Sequence, residues 1–301
     1  MLLHYRHGLN SKTNIKLFQQ FVKRIVSPTK RYVGRIRSGF FILFLGTEFT
    51  YASVEDMAFS ARFVAMANAG VAWRIGADCI FVNPAALHRT CAFDIHFFYT
   101  KPFGLKELHS GNVAARMTRG RLAAGIGAQF YGNDLYREHQ FLAALAFSLS
   151  TALSIGITSR YCTVSIQHYG QTGSLLMDVG LVAGLGEKAK LGFSAKNVNN
   201  AKIGTQREPL PNVLTLGASV APLTNCVVNF DLNKDIRFPL DVRCGVSYNT
   251  FSILALRIGA GSEPTRFCAG FSVFCFQCRI DYAFSNHCDL GLTHMFSIGV
   301  K

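Results

Sequence analysis

The sequence predicts an all-β protein, an antiparallel transmembrane β-barrel of about 14 strands with a small N-terminal plug. Three observations carry this expectation. The chain is 50% hydrophobic and 16% charged over 301 residues, yet no window reaches the ~18–20 uninterrupted apolar residues of a membrane helix. Turn signals recur at short intervals from Cys91 to the end. Between the turns, apolar and polar residues alternate with period two, as in a strand with one face to lipid and one to a lumen.

The N-terminal region reads as an export segment. Residues 1–52 hold nine basic residues against Glu48 alone, so +8 of the net +14 lies there. A basic stretch around Arg35 and Arg37 precedes an apolar run, Phe40–Leu45, and small residues at Thr50 and Ala52. Cleavage between Ala52 and Ser53 fits the small-x-small rule. Residues 1–32 are long for the basic part of a signal, so the true start is placed near Val33. The alternative is an apolar core strand. With this segment set aside, the mildly basic body is a poor nucleic-acid binder.

Residues 53–90 form the expected plug. The stretch from Ser60 to Leu87 is rich in small residues, carries the only Trp (Trp73) and ends in Asn83-Pro84-Ala85 before Ala86 and Leu87. Pro84 fixes its own φ and biases Asn83 towards extended geometry, and Asn83 can cap the turn that follows. The structural reading is an anchor; the functional one makes Asn83 part of a latch on a plug that shifts for cargo.

The barrel is expected over 91–301, with strands near 91–101, 111–119, 121–131, 138–149, 151–161, 174–184, 188–198, 212–221, 225–233, 240–249, 251–260, 265–275, 276–285 and 288–300. An even number is what single-chain bacterial barrels require. Phe141, Ala143, Leu145, Phe147 and Leu149 share one face. Leu240, Val242, Cys244, Val246 and Tyr248 oppose Asp241, Arg243, Gly245, Ser247 and Asn249. A soluble half-buried sheet has the same pattern; the export segment and the hairpin count favour the membrane. No linker interrupts 53–301, which is taken as one domain.

Catalytic and metal chemistry find little support. The nine cysteines are scattered, and Cys275-x-x-Cys278 lacks a second pair at zinc-ligand spacing. Residues three apart in one strand face opposite sides. His287 and Cys288 beside Cys278 make only a slight metal cluster. Gly-x-Ser-x-Gly is absent, and residues 170–173 (Gly-Gln-Thr-Gly) read as a hairpin turn. No enzyme activity and no cofactor are expected.

An ordered set of residues carries a resemblance. Ser60-Ala61-Arg62, Met66, Ala69 and Asn83-Pro84-Ala85 are followed by Leu191–Asn197, Leu210-Pro211, Leu216-Gly217 and Asp231. Arg257-x-Gly259, Asp281–Phe284 and Leu290–His294 with Ser297 complete it. In this order they resemble the FadL-like superfamily of long-chain fatty-acid transporter barrels, most closely its PorV/PorQ-like and uncharacterised outer-membrane branches. The chain departs from that pattern where Ala67 and Ala86 replace glycines, which implies a stiffer plug, and where Lys301 stands in place of a terminal aromatic. The resemblance implies a monomer in the bacterial outer membrane, in contact with its lipid, that takes up long-chain fatty acids or similar hydrophobic molecules passively. A PorV-like scaffold for exported proteins is the alternative, and a soluble periplasmic lipid-binding β-protein a second.

The candidate plug and gate residues are therefore Arg62, Asn83, Pro84 and Ala85. The candidate ligand residues are Arg243, Arg257, Arg279 and Asp281, on lumen-facing positions with Asp231 and Asp241. In a narrow lumen these charges pair across neighbouring strands. In the other reading one guanidinium stays unpaired and holds a carboxylate at the polar end of an apolar cavity.

Overall fold

A computed structural model describes residues 57–88, 92–287 and 291–301. The expected export segment, the expected cleavage site at Ala52/Ser53, Cys91 and Cys288 lie outside the described residues.

Sixteen strands follow one another: β1 (Phe93–Thr100), β2 (His109–Arg119), β3 (Leu122–Gly132), β4 (Tyr136–Ser148), β5 (Leu153–Ile166), β6 (Gly170–Leu185), β7 (Ala189–Lys196), β8 (Lys202–Ile203), β9 (Glu208–Pro209), β10 (Val213–Leu223), β11 (Cys226–Asp235), β12 (Asp241–Phe251), β13 (Leu254–Ser262), β14 (Thr265–Cys275), β15 (Cys278–His287) and β16 (Gly291–Val300). Fourteen of them close an antiparallel barrel, with β1 sealing against β16 through a ladder from Ile95↔Val300 to Thr100↔Met295. Closure removes every sheet edge, so the backbone polar groups of the wall are satisfied within it. β8 and β9 form a separate two-stranded ribbon inside the β7–β10 connection.

The alternation read from sequence describes the wall. Along β4, Phe141, Leu145 and Phe147 are exposed outside while Leu142, Ala144 and Ala146 are buried inside. Along β12 and β15, Asp241, Arg243, Arg279 and Asp281 are all buried on the inner side. A closed barrel with this outer surface is a membrane-spanning one, and no helix of the described residues is long and apolar enough to cross. The soluble-sheet alternative loses its footing here, because its apolar face would lie inside.

Two departures from the expected strands have a physical cause. β5 and β6 run on through residues that sequence reading gave to a loop, and 170–173 opens β6 instead of forming a turn; the turn is 167–169, with His168 at φ 67°. The extra rungs, Thr163↔Gly173 to Ile166↔Gly170, are built largely from Ser, Thr, Gln and Gly, which carry no apolar alternation. The ribbon leaves no strand signal in the sequence, since each of its strands is two residues long and one of them contains Pro209.

The two ends of the barrel differ. One carries only tight turns, at 120–121, 149–152, 186–188, 224–225, 252–253 and 276–277; the other carries the longer connections 101–108, 197–212 and 236–240.

The segment 57–88 packs against the inner wall. It has one α-helical turn (Ala61–Val64) and two 3-10 turns (Ala77–Phe81 and Pro84–Leu87). Phe59, Phe63, Ile80, Phe81 and Leu87 form a buried cluster with Ala114, Ala123, Leu142, Ala144 and Val182 of the wall. Ala61, Val64, Ala65 and Ala67 form another with Phe98, Ala283 and Met295. Small wall residues admit this close approach. A Cβ on Gly156 would collide with Pro84 and Ala85, and one on Gly259 with the Met66 backbone.

Of the two glycine replacements noted in the sequence, only one meets strain. Ala67 has φ 54° and Asn68 φ 63°, a left-handed pair that costs an L-residue roughly 1–2 kcal/mol; Ala86 sits in an ordinary 3-10 turn. Ala67→Gly is therefore expected to leave the segment as well protected from hydrogen exchange as before, or better, whereas Ala67→Val loosens it. Faster exchange in the glycine variant would contradict the strain assignment.

Candidate functional site

The inner segment is held by charges and by one amide. Asp78 is fully buried and accepts from Ser60 Oγ at 2.7 Å and Arg62 Nε at 2.6 Å, with a second bond from Arg62 Nη2. Burial works against the ionised carboxyl, but the Arg62 guanidinium prevails and holds Asp78 well below the usual carboxylate range. The pair is charged at any physiological pH. Asp94 of β1 accepts from the Ala77 N–H at 3.1 Å and lies 3.5 Å from Arg116 Nε. Farther round the wall, Asp231 accepts from the Gly70 and Val71 N–H groups at 2.7 and 2.9 Å.

Asn83 is fully buried. Its Nδ2 donates to Val71 O at 2.8 Å and Leu181 O at 3.2 Å, and its Oδ1 accepts from Ala85 N at 3.0 Å. Extended at φ −152°, it caps the turn that Pro84 begins. One side chain thus ties the segment to itself and to β6. Arg62, Asn83, Pro84 and Ala85, read from sequence as one group, all lie in the segment but at two places: Asn83, Pro84 and Ala85 sit against β5 and β6, and Arg62 is apart from them with Asp78, the counter-ion that sequence reading missed.

The four candidate ligand residues separate by height. Arg257, Arg279 and Asp281 sit in the first turns' worth of β13 and β15, close to the tight-turn end. There Arg279 Nε bonds Asp281 at 2.9 Å, and Arg257 Nη1 donates to Ser272 Oγ, which donates in turn to Asp281. Arg257 also lies 5.9 Å from the Trp73 ring centre, a cation–π distance. These three residues pack with the inner segment. Arg243 begins β12 at the other end, paired with Asp241 at 2.6 Å.

At that other end the lumen opens into a cavity of about 610 Å³. Val64, Ala67 and Asn68 of the inner segment form its floor; Leu176, Met295, Phe103 and Phe238 supply apolar wall. Arg243 lines it and the other three candidates do not. Arg266, which sequence reading passed over, lines it as well, donating to Asp241 at 2.8 Å and to Ala67 O at 3.3 Å. Two guanidiniums thus share one carboxylate at the cavity wall, and one of them touches the segment below. Among the described residues no cluster of His, Cys, Asp or Glu could hold a metal ion.

No protein-family model and no curated protein sequence matches the chain. Solved structures do. The toluene transporter TbuX of Ralstonia pickettii superposes with a TM-score of 0.61 at 13% identity, covering 81% of this chain and 98% of that one. The monoaromatic hydrocarbon channel CymD gives 0.60 at 13%, over 81% and 97%. A FadL homologue of Pseudomonas aeruginosa gives 0.56 at 11%, over 80% and 97%. At such identities the likeness establishes the fold, a FadL-like barrel.

Proposed function

We propose that this FadL-like barrel is an outer-membrane channel for passive entry of hydrophobic small molecules, with residues 57–88 as its plug. The observation that carries the reading is the largely apolar cavity whose floor is the inner segment. Its volume falls within the roughly 300–1,000 Å³ of small-molecule sites, and whatever it holds can go farther only if the floor shifts. Tight turns at one end and longer connections at the other support an orientation with the cavity outside and the turns in the periplasm. The printed names of the structural neighbours, toluene and monoaromatic hydrocarbon transporters, favour uncharged or weakly polar cargo. Arg243 and Arg266 around one Asp241 extend the range to a carboxylate head, and so to long-chain fatty acids.

A second reading has its own observation. The segment is fixed by a buried ion pair and by close approach to wall glycines, which suits a PorV-like scaffold that contacts exported proteins and moves nothing.

Equilibrium binding to the purified, heat-modifiable protein in detergent distinguishes them. A fluorescent fatty acid is expected to bind saturably, with affinity lowered about tenfold in Arg243→Ala, the loss typical of one charge-assisted hydrogen bond. A neutral aromatic probe should bind both forms alike. Absence of binding by either probe, with an exported protein co-purifying, would establish the scaffold in place of the channel.

A further inference from the structure

The Cys275-x-x-Cys278 motif has no part in the cavity or the plug, and the structure alters its meaning. The two cysteines do not lie in one strand. Cys275 ends β14, Cys278 begins β15, and they are register partners across a two-residue turn. Directly opposed residues of an antiparallel pair project from the same face, with Cα atoms roughly 4.5–5.5 Å apart. That spacing lies inside the ~4.4–6.8 Å range over which disulfides close. Both side chains are exposed, and both are free thiols in the structure. Phe276, at the tip of the turn, takes a left-handed φ of 52°, so the reversal that opposes the two cysteines is complete within two residues. The other described cysteines have no such partner in the ladder: Cys226 faces Tyr248, Cys244 faces Ala260 and Phe230, Cys268 faces Gly259 and Ser285, and Cys162 faces Gln140 and Ser174.

We propose that Cys275 and Cys278 form a reversible disulfide that clips the β14–β15 hairpin at the tight-turn rim. A protein or small-molecule disulfide is the oxidant. One cysteine thiolate attacks it, forming a mixed disulfide and expelling one thiolate. The second cysteine attacks its neighbour's sulfur, expelling the other. The Cys275–Cys278 bond forms, the oxidant's S–S bond is broken, and the two cysteine protons end, by way of solvent, on the two expelled thiolates, which leave as thiols. The clip closes next to Arg279 and three residues before Asp281, so it stiffens the strand that carries the Arg279–Asp281 pair. At a periplasmic rim, where disulfides persist, the bond is the resting form. The proposal goes beyond the uptake reading and does not depend on cargo; only its resting state rests on the orientation proposed above.

The test uses the refolded, detergent-solubilised barrel equilibrated with oxidised glutathione, quenched in acid, alkylated, digested and weighed. The expected result is that Cys275 and Cys278 escape alkylation, their peptide is two hydrogens lighter, and both alkylate after reduction. Cys268, buried on the inner face of the same peptide, alkylates only on denaturation and is unchanged by the redox treatment. In Cys275→Ser, Cys278 should carry glutathione or alkylate, with heat-modifiable migration unaltered. Two free thiols, or a glutathione on each, in the wild-type barrel would overturn the proposal. Protein recovered from outer membranes and alkylated without reductant should show the same linkage; alkylation of both thiols there would remove its resting-state role.

Discussion

Replacing Asp78 with Ala is expected to release residues 57–88 from the barrel wall while the fourteen-stranded ladder stays closed. Asp78 is the sole carboxylate in direct contact with Arg62 among the described residues' ion pairs, and both are buried. Removing one partner of such a pair costs about 3–5 kcal/mol, because the other is left as an uncompensated charge. The strands do not share this loss. Their hydrogen bonds run from neighbour to neighbour around a closed circuit, so the strain is relieved by local opening of the segment. Hydrogen exchange should accelerate across 57–88 and remain slow in β2 to β6, with heat-modifiable migration preserved. Adding Arg62→Leu should restore part of the protection, since the stranded guanidinium is then gone. Unchanged exchange in Asp78→Ala would mean that packing alone holds the segment.

How much of this arrangement was legible in the sequence depends on which physical force wrote it there. Lipid outside and a lumen inside impose period-two alternation, so the strand count and the inward set, Asp241, Arg243, Arg279 and Asp281, were readable. Alternation gives the face of a residue but not its height in the lumen. Arg243 and Arg257 therefore looked equivalent, although one lines the cavity and the other stacks on Trp73 of the inner segment. Asp78 left a fainter trace, a lone acid in the apolar run Ala77–Phe81; a charge so placed needs a partner, and Arg62 was available. Ala67 was read as stiffness, whereas its left-handed φ makes it a point of strain. Cys275 and Cys278 fell at the junction of two expected strands, 265–275 and 276–285, with no turn between them; neither Phe276 nor Gln277 is a usual turn former, so their pairing across a hairpin was not legible.

Asn83→Ala is expected to open the same segment from its other end. The substitution removes the partner of the buried Val71 O and Ala85 N–H and one bond to Leu181 O; each buried group left without a partner costs about 1–3 kcal/mol, and partial relaxation should leave a net loss of about 2–4 kcal/mol. The wall opposite is fitted to this side chain, for a Cβ on Gly180 would collide with Asn83 Oδ1. Gly180→Ala in the native background therefore pushes the asparagine off its carbonyls and should loosen the segment to a similar degree. In the Asn83→Ala background the colliding amide is absent and only Pro84 Cδ, at 3.0 Å, still crowds the added methyl, so Gly180→Ala should become much less costly. The two losses must then be strongly sub-additive, as contacts that share one site are. Hydrogen exchange of 57–88 reads the coupling directly, and swelling of proteoliposomes in small neutral solutes reads its consequence, since a plug that opens more often leaks more. Additive effects would place the control of opening elsewhere than the Asn83–Gly180 contact, and rapid exchange without added leakage would leave the segment as an anchor and not a gate.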